Sequence, residues 1–109
     1  MTATQHPSAL SCSLEDDELE QRVSEWRRLG REAQLARRRA PGRVVLHYQR
    51  DDGVRARLRR LVELEQQCCR VLDLRINETD EAIVLEITGP AEAEPILALF
   101  ASDPAAEAR

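Results

Sequence analysis

LDLRINETDEAIVLEIT, residues 72–88, holds two short runs of strict alternation. Leu72, Leu74 and Ile76 alternate with Asp73, Arg75 and Asn77; Ile83, Leu85 and Ile87 alternate with Val84, Glu86 and Thr88. Side chains of a strand point to opposite faces in turn, so each run has one apolar face and one largely polar face. Glu78-Thr79-Asp80 between them supplies a turn, and the two runs make a β-hairpin. A sheet with a single apolar face must be covered on that face alone, and helices are the available cover.

Working outward toward the N-terminus, Val54, Leu58, Leu61, Val62 and Leu72 recur at helical spacing, with Asp51 and Asp52 placed to cap the helix. Val44, Leu46 and Tyr48 alternate with Val45, His47 and Gln49 as a further strand. Leu19, Val23, Trp26, Gly30 and Ala33 form the stripe of an earlier helix that Pro41-Gly42 is expected to end. Ser13 and Asp16 resemble a capping box at its start, and acids from Glu15 to Glu18 suit a helix N-terminus. Leu10, Cys12 and Leu14 alternate with Ser11 and Ser13, which reads as a first strand. Beyond the hairpin, Gly89-Pro90 leads into a short helix carrying Ile96, Leu97 and Phe100.

The expected order is β-α-β-α-β-β-α: a two-layer α/β (α+β) sandwich of about four strands with helices on one face. Residues 1–8 read as a loose arm, 9–101 as one domain and 102–109 as a frayed tail. A chain of 109 residues supports one modest core. Apolar runs are too short for a membrane span, and the first residues lack the pattern of a secretory signal. A cytoplasmic location is the expectation, and an odd count of three cysteines argues for free thiols.

Charge is laid out in blocks. All 16 basic residues are arginine, and 12 of them fall in residues 27–60, where the local balance is +9. The flanking segments carry −5 and −8, giving −4 overall. Such a middle could meet nucleic acid or an acidic partner, but a solvated helix face produces the same pattern. His47 falls on the polar strand face and His6 in the arm. No GxGxxG, P-loop, HExxH or paired CxxC knuckle is present, and no organic cofactor is expected.

The chemistry concentrates on four residues. Extending the apolar stripe of the second helix lands on Glu65, then on the adjacent Cys68 and Cys69. Successive helical residues are about 100° apart, so one sulfur faces the sheet and the other the edge. Alternation puts Cys12 on the core face of its strand. If that strand passes under the end of the helix, three thiols meet. Three thiolates suit Hg(II) or As(III), two suit Hg(II) or Cu(I), and zinc would need Glu65 as a fourth ligand. A helix C-terminus and a carboxylate both disfavour a free thiolate, which argues against an activated nucleophile and for a bound metal. A Cys68–Cys69 disulfide is disfavoured inside a helix; a bridge from Cys12 is the more natural oxidised form. Cysteine also fills cores as a small hydrophobe, whereas a buried Glu65 needs a partner.

Leu10-Ser11-Cys12-Ser13-Leu14, the Arg22-Val23-Ser24-Glu25-Trp26 turn, Glu65-Gln66-Gln67-Cys68-Cys69 and the closing Ile83-Val84-Leu85-Glu86-Ile87-Thr88-Gly89-Pro90 together resemble a family of small bacterial proteins. Its members carry a strand cysteine, an R-x-x-x-W helix and an E-x-x-C-C helix end. They are associated with heavy-metal resistance and MerR-type regulators. The resemblance spans roughly residues 9–101 and implies a thiol–metal role for Cys12, Glu65, Cys68 and Cys69, with a regulator as partner. Val71 and Leu72 stand here where members carry aromatic residues.

The leading expectation is a soft-metal thiolate protein for sequestration, transfer or sensing. Alternatives are an organomercurial-lyase-like enzyme with Glu65 as the acid, a redox-sensitive interaction domain, and an arginine-mediated nucleic-acid binder.

Overall fold

The computed structural model describes residues 16–68 and 70–104. It is an α+β sandwich: α1 (Asp16–Ala33), β1 (Gln34–Ala40), β2 (Arg43–Tyr48), α2 (Asp52–Cys68), β3 (Asp73–Glu78), β4 (Ile83–Thr88), a 3₁₀ turn (Ala91–Ala93) and α3 (Glu94–Ala101). The four strands form one sheet in the order β1-β2-β4-β3, and every neighbouring pair is antiparallel. Helix α2 therefore carries the chain over β4 to the far edge, and the hairpin brings it back between β2 and β3, a split β-α-β unit.

One-sided coverage follows from the register. Val44 faces Ile87, which faces Leu74; Leu46 faces Leu85, which faces Ile76; Tyr48 faces Ile83. Directly opposed residues share a face. These rows make the buried side of the sheet, while Val45, His47, Val84, Glu86 and Thr88 on the other face are only half-buried. Trp26, Leu29 and Ala33 from α1, Val54, Leu58, Leu61 and Val62 from α2, and Leu97 from α3 close over it. Asp51 caps α2, its Oδ2 accepting from the Val54 amide at 3.1 Å. Thr79 Oγ1 accepts from the Glu81 and Ala82 amides and so shapes the hairpin loop.

The first helix ends earlier than its sequence suggests. It stops at Ala33, and Gln34–Ala40 is an edge strand; Pro41-Gly42 turns a hairpin instead of closing a helix. Arginine and alanine favour helix intrinsically, and β1 shows no alternation because it is exposed from Leu35 to Ala40. Pairing with β2 overrides that propensity. Gly42 has φ +73°, which suits glycine after proline in such a turn. The register places Arg37 opposite Leu46 and Arg39 opposite Val44, on the covered face. They reach across to the end and the start of α3, Arg37 to Asp103 and Arg39 to Glu94, and inward-pointing charge is one way to guard an open edge.

The expected strand at Leu10–Leu14, the capping box at Ser13, the arm and residues 105–109 lie outside the described residues. Ser102 and Pro104, within the stretch expected to fray, are packed: Ser102 Oγ donates to the Leu99 carbonyl at 2.8 Å, and Pro104 sits over Gly30. A β-carbon on Gly30 would meet Pro104 Cγ at 2.8 Å, so the smallest residue is needed there. Among the described residues, no helix is long and apolar enough to cross a membrane.

Candidate functional site

Arg22 and Trp26 are one turn apart on α1 and point at the same place on α2. Trp26 Nε1 donates to Glu65 Oε2 at 3.0 Å, and Arg22 Nη1 donates to the same oxygen at 3.2 Å. Glu65 is the one charged side chain in the core of the described residues, 4 % exposed. Its position follows from the α2 stripe, and the carboxylate is tolerated because a cation and an indole N–H replace water around it. Trp26 is held from the other side by Phe100, whose ring meets it edge to face with centroids 5.1 Å apart.

Beside this seam lies a cleft of about 160 Å³. Val23 and Trp26 of α1, Ile96, Leu99 and Phe100 of α3, and Leu46 and Tyr48 of β2 line it, together with Arg22 and Glu65. Leu99 is half-exposed at its rim. Burial pushes the Tyr48 phenol well above its ordinary range, with a hydrogen bond to Gln34 opposing in part. A bulge between Gln34 and Ala36 sets Gln34 opposite Tyr48 and turns it toward the cleft.

Of the predicted site residues, Glu65 is fully described. Cys12 and Cys69 lie outside the described residues, as does the Cys68 side chain, while the backbone of Cys68 ends α2. Among the described residues, no group of three or more His, Cys, Asp or Glu side chains is gathered as a metal site. The Arg22–Trp26 pair was legible as i, i+4 spacing; its engagement with Glu65 was not, because it joins residues 39 and 43 positions apart.

About half of the arginines of the basic middle form ion pairs within the chain. Arg39, Arg43, Arg50 and Arg55 pair with Glu94, Glu86, Glu78 and Glu78 respectively, and Arg57 pairs with Glu32. Most of those acids come from the negative C-terminal third, so the two charge blocks meet in part. Arg55, then Arg50, hold the Glu78 carboxyl down to about 2. The Gly42 amide, then Arg39, hold that of Glu94 below the usual carboxylate range.

No known protein family matches the chain, and neither a curated protein nor a solved structure shows significant similarity to it.

Proposed function

We propose that the protein binds a soft metal ion through Cys12, Cys68 and Cys69 at one end of the helical layer. The supporting observation is the antiparallel packing of α1 and α2. Glu32 meets Arg57, and Arg22 and Trp26 meet Glu65, so the start of α1 lies beside the end of α2. By those pairings Cys68 is level with the second turn of α1, about 7 Å along the axis from Asp16. Cys12 precedes Asp16 by four positions, a reach of up to about 14 Å. Backbone length thus permits the three sulfurs to converge.

Glu65 is assigned a holding role. Its Oε2 already accepts from Arg22 and Trp26, and a guanidinium competes with any metal for the same carboxylate. This favours a three-thiolate site, suited to Hg(II) or As(III), over tetrahedral zinc with a carboxylate ligand, and binding over carbon–metal lysis. Sequestration or transfer in a reducing compartment is the use that fits, with a MerR-type regulator as the partner the resemblance implies.

Native mass spectrometry of the reduced protein with Hg(II), As(III), Cu(I) and Zn(II) tests this. One Hg(II) per chain is expected, with affinity falling about tenfold or more for each Cys→Ser replacement and little for Glu65→Gln in a folded variant. Retention unaffected by Cys12→Ser would overturn the three-sulfur site.

A further inference from the structure

Strand β1 is an edge with one free side. Ala36 to Ala40 pair with β2 in unbroken register, and no strand among the described residues pairs with the opposite side. A strand bonded on one side turns alternate N–H and C=O groups outward, ready for a further strand. All five residues are exposed, and Arg37, Arg38 and Arg39 stand at their centre. Alternation sends Arg37 and Arg39 to the covered face and Arg38 to the open one, between the small side chains of Ala36 and Ala40. Arg38 makes no ion pair among the described residues. The pairs of Arg37 with Asp103 and of Arg39 with Glu94 lie in solvent, so an incoming acid can replace either at little cost.

We infer that β1 is a docking edge for an extended acidic segment of a partner protein, which adds to the sheet as a fifth strand. Directly opposed residues of neighbouring strands share a face. Three consecutive acids in the added strand therefore meet all three arginines, two on one face and one on the other. A phosphate backbone lying along either face would meet only that face's arginines, which favours an acidic strand over nucleic acid. A second copy of the chain fits poorly. Pairing β1 with β1 sets arginine against arginine, and the acids of the other edge, Asp73 and Glu78, are already held by Arg75 and by Arg50 and Arg55. The charge guards the edge against its own kind and admits a strand of opposite sign. Backbone bonds supply the affinity, and the arginines select the partner.

The test uses fluorescence anisotropy at low ionic strength, with the full-length protein and a short peptide of three consecutive glutamates flanked by valine and threonine. This peptide should bind about tenfold more tightly than its glutamine counterpart. Methylating one alternate set of peptide amides should cost about tenfold and the other set little, because only one set faces β1. Arg38→Glu should weaken binding about tenfold while the circular dichroism spectrum is unchanged; Arg38→Gln serves if the reversal fails to fold. Failure of the glutamate peptide to bind, equal binding of the glutamine peptide, or equal effects of the two methylated sets overturns the inference. So does tighter, Arg38-dependent binding of single-stranded RNA, or an Arg38-sensitive self-association in sedimentation. No arm of the test involves a thiol, so the metal site stands or falls separately.

Discussion

Two ionic contacts of this molecule, one buried between helices and one exposed at the edge of the sheet, use the same chemistry with different consequences. The Arg22–Glu65 pair lies between α1 and α2 with side chains 12 % and 6 % exposed. Arg50 and Arg55 grip Glu78 at the sheet's edge, where Arg50 is 47 % exposed and Glu78 29 %. The outer cluster has the better geometry: Arg55 makes two bonds to Glu78, at 3.0 and 2.7 Å, and Arg50 adds a third at 2.9 Å. Water and salt nevertheless screen it. In the inner pair, Arg22 and the Trp26 indole share one Glu65 oxygen where little solvent reaches, so a lost partner is costlier to replace. Burial is therefore expected to make the inner pair the more costly one to break.

The largest effect is expected from Trp26→Ala, which removes both the indole donor and the contact with Phe100. It should cost about 3–5 kcal/mol in urea unfolding. Trp26→Phe sharpens the result by keeping a ring and deleting the N–H, and should cost about 1–2 kcal/mol. Equal losses for the two variants would mean that the hydrogen bond, and not the packing, holds α1.

Glu65→Ala comes next, at about 3 kcal/mol, because it removes the buried acceptor that the Arg22 guanidinium and the Trp26 indole share. Replacing Arg22 and Glu65 together should cost less than the sum of the single losses. Strict additivity in that double-mutant cycle would show that the two side chains do not act as a pair.

The outer cluster should matter least, and only as pH changes. The Glu78 carboxyl sits at about 2 against an ordinary 4.5, so the charged form is favoured by folding. Its stabilising contribution is complete above pH 4.5 and disappears as pH falls toward 2. Acid titration of the unfolding midpoint for wild type and Glu78→Gln should give curves that differ above pH 4.5 and merge near pH 2, with the gap narrowed by salt. A gap that persists at pH 2 would assign Glu78 a packing role in place of an electrostatic one.

Strict alternation carried the hairpin Asp73–Thr88 and the strand Arg43–Tyr48, and helical spacing carried the stripe from Val54 to Glu65. In each, one apolar face leaves a periodic trace. Gln34–Ala40 left none: exposed from its second residue onward and bearing three arginines, it is a strand only because β2 offers hydrogen bonds. Pro41-Gly42 punctuates helices and hairpins alike, so it could not distinguish the two. At the site, Glu65 was legible as a carboxylate on an inward stripe. Its partners, and the cleft shared by Phe100, Tyr48 and Gln34, come from four separate elements.

The chain alone determined that there would be a half-buried sheet under amphipathic helices, and that a carboxylate would fall among apolar neighbours just before two thiols. Those are properties of local period, which each segment carries by itself. Tertiary structure alone decided the strand order, the edge strand, the meeting of Arg22 and Trp26 with Glu65, and the aromatic cleft beside them. Each depends on contacts between residues distant in sequence, whose closure no local pattern encodes.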